Sequence, residues 1–434
     1  MIIVLLFGLM FLLLALGLPV ALAIGLPAIG LIVTPGVFPD SVTLAALGQT
    51  VVQQLFSGVD SFDLLAVPLF MIAGSIMEVG GISRRLIDFC NSLVGWAPGG
   101  LAAAAIGASI IIAGISGSAA ADTAAIGAVV IPTMIRQGYP PAFAAAVVAA
   151  GGAIGIIIPP SIPMILFGFM TNISTSQLFA GGIMVGALLG LSFMAVAIFI
   201  SWRKGYGERL PFTWKQVGVT GRAALWSMGA PVIVLGGILG GIVTVTEGAA
   251  LAVFYALLVG TVINKELKWS ELPQLIIRSQ VTAGGILFII AMAKVFGWLL
   301  AMQQSAQLLN TFVNSLALPP VGLLLLVMLL LLVIGCVMET TAALLLVVPV
   351  LALLTPQMAV DPVHFGVLVV VNLAIGMLTP PVGICLFVSC GIAQVSLGRV
   401  SRAIAPLVLV SLVDLLIAAL WSPLIMWLPT LLYR

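Results

Sequence analysis

Charge is what this chain has least of. Only 6% of its 434 residues are Asp, Glu, Lys or Arg, against 62% hydrophobic. A soluble fold of this size could not cover its surface with so few charges, which excludes a water-soluble domain. Histidine occurs once, at His364, which argues against a His-based metal or catalytic centre. Cys90, Cys336, Cys385 and Cys390 have no metal-ligand spacing and read as small buried apolar side chains. No HExxH, GxSxG or paired-aspartate helix motif is present, so an intramembrane enzyme is disfavoured and no organic cofactor is expected. The net charge of +2 is too small to point to nucleic acid. The N-terminus lacks a basic n-region, and its apolar run is about twice the length of a signal h-region. It reads as two spans divided near Leu18-Pro19.

What is there is apolar sequence in lengths that cross a bilayer. Ten spans are expected, near 1–17, 19–38, 62–80, 140–171, 180–202, 225–243, 246–264, 281–300, 363–392 and 404–430. Two helical hairpins are expected near 101–138 and 320–356. The connecting segments sort by charge. Arg84, Arg85, Arg136, Arg203, Lys204, Arg209, Lys215, Arg222, Lys265, Lys268, Arg278, Arg399 and Arg402 fall on one side, thirteen of the fifteen basic residues. The alternate segments (39–61, 172–179, 301–319 and 357–362) carry none. Basic residues accumulate on the cytoplasmic side, so both termini are expected outside and the 206–222 linker inside. Residues 101–114 are too few to cross alone, which favours a re-entrant hairpin. Five crossings per half is an odd number, so the halves 1–205 and 223–434 are expected to be inverted relative to each other.

The strongest feature is a pattern that occurs in both halves. AGISGSAAADTAAIGAVVIP at 113–132 places Asp122-Thr123 before Pro132; IGCVMETTAALLLVVP at 334–349 places Glu339-Thr340 before Pro349 at the same spacing. Each is followed by an apolar stretch that breaks at a double proline, Gly155-Ile-Ile-Ile-Pro159-Pro160-Ser161 and Gly376-Met-Leu-Thr379-Pro380-Pro381. Broken helices of this kind, repeated in two halves, point to the binding site of a transporter. Unwound carbonyls can coordinate a small hard cation such as Na⁺, and helix N-termini face an anion. Gly114, Gly117, Gly155, Gly335 and Gly376 allow unusual dihedrals or close approach, and Pro159, Pro160, Pro380 and Pro381 stop the helices. Ser116, Ser118, Thr340, Thr341 and Thr379 add hydroxyl oxygens. For any one glycine or serine, helix packing is as good an account as coordination; the joint recurrence of tip and break favours a site. Asp122 and Glu339 can bind a cation or proton, or cap the second arm of each hairpin, and capping with tip ordering is favoured over direct ligation. Ser161 and Asn372 are further candidates to line the cavity. Lys294 can face the substrate or snorkel toward a surface; it has no evident partner, nor do Glu78 and Asp414. Segments 42–58, 82–96 and 302–316 read as amphipathic interfacial helices or, as readily, as surface loops of helical character. Trp96, Trp202, Trp214, Trp269 and Trp427 fall where interfacial belt residues do.

These motifs carry a resemblance. Gly80-Gly-Ile-Ser-Arg-Arg, GISGSAAAD at 114–122, GIIIPPSIPMI at 155–165, TEGAALAVFYAL at 246–257, METTA at 338–342, and DPVHFGV through LTPPVG at 361–383 resemble the large membrane subunit of TRAP transporters, the DctM or SiaM type. The resemblance implies an all-α polytopic protein of the divalent-anion/sodium symporter kind. It would have a fixed scaffold and an elevator-type transport domain made of the hairpins, 140–171 and 363–392. It implies Na⁺-coupled import of an organic acid, such as a C4-dicarboxylate or sialic acid, across a bacterial inner membrane. A periplasmic binding protein would deliver the substrate. A separate four-span small subunit is expected, because the chain starts directly in the large-subunit region. Ser116, Gly117, Ser118, Gly155 and Pro159 would frame one Na⁺ site, and Thr340, Thr341, Gly376 and Thr379 the other. Asp122, Pro160, Ser161, Glu339, Asn372, Pro380 and Pro381 would shape the tips and substrate cavity. The alternative is a stand-alone Na⁺/organic-anion symporter or antiporter of the same fold; a channel is disfavoured.

Overall fold

The computed structural model describes residues 2–34, 43–208 and 211–433, and every regular element among them is helical. The first half runs α1 (Ile2–Ala15), α2 (Val20–Ile32), α3 (Leu44–Val59), α4 (Ala66–Val79), α5 (Ile82–Val94), α6 (Gly100–Ser116), α7 (Ala119–Arg136), α8 (Pro141–Ile154), α9 (Ile162–Thr171) and α10 (Thr175–Lys204). The second runs α11 (Trp214–Leu239), α12 (Val245–Leu257), α13 (Leu272–Met302), α14 (Ser305–Ser315), α15 (Pro320–Val337), α16 (Thr340–Leu354), α17 (Pro362–Gly376), α18 (Ile384–Ala393), α19 (Leu397–Leu420) and α20 (Pro423–Leu432). Among the described residues, eight helices are long and apolar enough to span a membrane, or nine if α3 and α4, bent 58° at their junction, count as one broken span.

Several expected bounds move. Segment 140–171 is two short helices, α8 and α9, and 363–392 is α17 and α18, each pair separated by the double-proline break. The last span ends at Leu420, and α20 is a separate helix. Helix α11 begins at Trp214, inside the expected linker, whose residues 209–210 and Arg209 lie outside the described residues. Lys215 and Arg222 interrupt the apolar run there, but both sit exposed on the helix without breaking it. The far end of span 19–38 and the start of segment 42–58 also lie outside the described residues. The three amphipathic segments are helices α3, α5 and α14.

The two halves match helix for helix through the hairpins. Helices starting at 100, 119, 141, 162 and 175 correspond to those starting at 320, 340, 362, 384 and 397, an offset of 220 to 222 residues. Packing is reciprocal: α4 lies on α12 while α2 lies on α13, and α18 lies on α7 and α8 while α9 lies on α16 and α17. Exchanged contacts of this kind are what a two-fold relation generates. The match fails at one flank. Helices α5 and α6 pack on α11, whereas α1 stands off α15 and α16 across an apolar cavity of about 840 Å³.

At the centre are α8 and α17. Every residue from Phe143 to Ile154 and from Val363 to Gly376 is buried. A helix that is apolar all round belongs inside a bundle, and the Ala-Gly composition of α8 lets neighbours approach closely. His364 joins α17 to α19, its Nε2 lying 2.8 Å from the Ala418 carbonyl, so the lone histidine serves as a structural tie. Asp414 is paired with Ser192 between α19 and α10. All four cysteines are buried and free. The five tryptophans near the expected interfaces are all more than half exposed.

Candidate functional site

Each hairpin turns in two residues. Helix α6 ends at Ser116, and Gly117 closes the turn in the left-handed region at φ +64°. Ser118 is the N-cap of α7 and accepts a bond from the Ala121 amide. In the second hairpin Met338 is extended and Glu339 caps α16, accepting from the Ala342 amide at 3.1 Å and from Thr341 Oγ1 at 2.9 Å. Glu339 therefore has the capping role, but Asp122 does not. It lies one turn inside α7, where its Oδ1 accepts the Ser116 hydroxyl across the turn. Asp122 is thus a clasp on the tip, and the structural partner of Glu339 is Ser118.

Helix α6 runs through Gly114 to Ser116, a length of 17 residues, or about 25 Å at the helical rise. That still falls short of a hydrocarbon core of about 30 Å, so the short first arm fits a re-entrant hairpin. Where the tip lands supports one too. A Cβ on Gly117 would sit 2.8 Å from the Pro160 carbonyl oxygen and 3.3 Å from the Ile162 nitrogen. One on Gly114 would sit 3.6 Å from the Pro159 oxygen. The tip thus meets the joint between α8 and α9, in the middle of that segment. In the second half, a Cβ on Gly376 would lie 2.6 Å from Gly335 Cα, and the Gly383 amide bonds the Cys336 carbonyl at 3.1 Å. Gly114, Gly155, Gly335 and Gly376 are not left-handed residues; they serve close approach.

The hydroxyls have defined partners. Thr340 donates to the Met377 sulfur at 2.8 Å and Thr379 to the Ile375 carbonyl at 2.9 Å. Ser161 caps α9 through the Met164 amide and donates to the Ile156 carbonyl. It is fully buried, so it holds the break together from within. Asn372 is also fully buried, with Nδ2 on the Met328 carbonyl at 2.8 Å. It ties α17 to α15, and no cavity described here includes it. Pro159-Pro160 and Pro380-Pro381 both carry cis peptide bonds.

The two hairpins converge on Cys385. It hydrogen-bonds Thr123 of the first hairpin and lies within electrostatic range of both Asp122 and Glu339. Helix α18, which begins at the second break, thus brings the second half's joint against the first half's tip. The adjoining cavity, about 390 Å³, is lined by Ser116, Ser118 and Asp122 of the tip and by Ser75, Glu78, Arg278, Ser279 and Thr282 of α4 and α13. Ser279 and Ser75 are bonded at 2.8 Å. Glu78 lies in the field of Arg278. Arg278, which by sequence counts as a loop charge, lies a turn and a half inside α13, a placement that a hydropathy profile blurs. No group of three or more His, Cys, Asp or Glu side chains able to hold a metal occurs among the described residues.

The family described as "Tripartite ATP-independent periplasmic transporter, DctM component" matches residues 7–425. The chain is similar to the isethionate TRAP transporter permease protein DctMQ of Oleidesulfovibrio alaskensis, 40% identical over 413 residues, covering 95% of this chain and 64% of that protein, just under two thirds of its length. It is similar to the C4-dicarboxylate TRAP transporter large permease protein DctM of Pseudomonas aeruginosa, 38% identical and covering 87% of each chain. It is similar to the sialic acid TRAP transporter large permease protein SiaM of Vibrio cholerae, 34% identical over 87% of this chain and 89% of that one. Among solved structures, the YdaH transporter of Alcanivorax borkumensis superposes with a TM-score of 0.66 over 89% of each chain at 14% identity, a likeness of fold alone.

Proposed function

The chain belongs to the DctM family of tripartite ATP-independent periplasmic transporters, and from that premise we propose that it imports a small organic acid coupled to Na⁺ by elevator-type alternating access. It is a multi-pass transport protein, not an enzyme. The observation that carries the finer reading is the pairing of each hairpin tip with a double-proline joint. Pro159 and Pro160 carbonyls face the first tip, and the Gly383 amide of the second joint bonds the Cys336 carbonyl, just before the second tip, at 3.1 Å. The hydroxyl protons of Ser116, Thr341 and Thr379 are each given to an acceptor. A hydroxyl that donates inward keeps lone pairs free for a cation. One Na⁺ per tip would then order the two turns, and the substrate anion would sit between them, its charge offset before the transport domain moves.

The names of the similar permeases favour a carboxylate or sulfonate as cargo. A fused relative supports a small membrane subunit as obligate partner, with a periplasmic binding protein delivering the substrate. The family supports bacterial inner-membrane placement, and the sorting of basic residues supports both termini in the periplasm, Arg434 lying outside the described residues. The scaffold would contain α1–α4 and α11–α13, and the moving domain α6–α9 and α15–α18. In proteoliposomes holding this chain with its small subunit and binding protein, uptake should require an inward Na⁺ gradient and collapse when Na⁺ is equal on both sides. Uptake that persists unchanged without the gradient contradicts the coupling, and uptake without either partner contradicts the tripartite assembly.

A further inference from the structure

Helix α13 carries two basic residues at opposite ends of its membrane-embedded length. Arg278 lines the cavity beside the first tip. Lys294 lines a second cavity, about 340 Å³, between α13, α3, α9 and α16, with Gln54, Met170, Trp298 and Pro349 among its walls. The sixteen residues between them correspond to about 24 Å of helix. Both cavities border α13 and the second arm of a hairpin, α7 for one and α16 for the other. The first tip lines one of these cavities, and the other lies along α16 beyond the second tip.

Lys294 stands where a lysine is expensive. It is eight residues before the end of α13, about 12 Å along the axis, so a surface-seeking side chain would have far to reach. Its stem lies beside Gly58 of α3, where an added Cβ would meet Lys294 Cβ at 3.0 Å. It has no ion pair or hydrogen bond among the described residues. Intramembrane cations face a partner or a water-filled path, and among the described residues no acidic side chain lines this cavity. Arg278, by contrast, has Glu78 beside it.

We propose that Lys294 is the anion-receiving group of the outer vestibule, holding the substrate carboxylate or sulfonate on the fixed scaffold before the tips take it, with Arg278 its counterpart on the inner side. This rests on the anion-import reading above. The asymmetry between the two cations gives a direction. An unpaired Lys294 attracts the incoming anion strongly, while Glu78 weakens the hold of Arg278 and eases release.

Two measurements test it, one of them independent of transport. A Gln54→Cys variant places a thiol in the outer cavity, and the native cysteines are buried. Its labelling by the anionic reagent methanethiosulfonate ethylsulfonate should outpace that by the cationic ethyltrimethylammonium analogue by about tenfold. Adding Lys294→Gln should abolish the difference, and Lys294→Arg should preserve it. Equal rates for the two reagents with Lys294 present overturn the proposal, whether or not any substrate is known. In the tripartite proteoliposome, with labelled succinate and isethionate as probes, Lys294→Gln should raise the half-saturating concentration about tenfold with the maximal rate kept within about twofold, and Lys294→Arg should recover it. Lys268→Gln, on the loop after α12, serves as the control. Wild-type uptake of a probe that is unchanged in Lys294→Gln overturns Lys294's role alone. Absence of wild-type uptake of either probe counts against the anion-import reading, and the labelling ratio still decides the vestibule.

Discussion

Replacing Gly376 with valine should abolish uptake while the protein still inserts into the membrane. The reason is backbone against backbone. A Cβ at this position would lie 2.6 Å from both Cα and C of Gly335 and 3.0 Å from the Cys336 nitrogen. No rotamer relieves such a contact, because neither partner is a side chain. Helix α15 would have to lift off α17, breaking the Gly383–Cys336 backbone bond and the Thr340–Met377 contact that hold the second tip on its joint. A displacement of about 1 Å at a coordinating site costs about 10²-fold or more in rate. Uptake should therefore fall at least that far, with a normal membrane yield and a monodisperse profile in detergent. Gly391 of α18 has open space around it and gives the control: Gly391→Ala should transport normally. Wild-type uptake by Gly376→Val would show that the second tip and joint need not touch.

Asp122→Ala should be nearly as damaging, for a chemical reason. The Asp122 side chain is 2% exposed. Its Oδ1 takes the Ser116 hydroxyl, and its Oδ2 has no protein partner and lies against Gly155. Loss of the carboxylate frees Ser116, whose Oγ also accepts the Ser118 amide at 3.2 Å, so the turn loses its clasp. A buried charged hydrogen bond is worth about 1.5–3 kcal/mol, or about 10- to 150-fold in occupancy of the ordered tip. Asp122→Asn separates clasp from charge. It keeps an acceptor for Ser116 but turns an N–H₂ group toward the Gly155 side. Half-saturation by Na⁺ should rise in both variants, and by more in the alanine one. Unchanged Na⁺ dependence in both would remove Asp122 from the cation's surroundings and leave it a packing residue.

The hairpins and joints were legible in the sequence because unusual residues mark them. Gly117, the double prolines and the short polar turns interrupt otherwise uniform apolar runs. Register was less legible. Anchoring the two halves on Pro132 and Pro349 pairs Asp122 with Glu339, but the helices begin at Ala119 and Thr340, which pairs Ser118 with Glu339. A repeat aligned on prolines in a featureless apolar helix can slip by one turn, since a shift of about four residues returns nearly the same face. Ser161 and Asn372 read as cavity residues because they are polar; both are buried and donate to backbone carbonyls, and Asn372 Oδ1 has no protein partner. Arg278, Ser279, Ser75 and Cys385 went unnoticed as site neighbours, because tertiary packing between the halves brings them there and no local pattern announces it. The bent α3–α4 pair was read as an interfacial segment and a span, whereas its counterpart α13 is continuous.

The central claim is that each tip, seated on its own double-proline joint, holds one Na⁺. Equilibrium binding of ²²Na⁺ to the detergent-purified chain tests it without needing the substrate or partners. Wild type should bind Na⁺ saturably; Ser116→Ala and Thr341→Val should each lose one of two sites, and the double variant should lose both. Absence of saturable binding in wild type, or full binding in the double variant, would contradict it.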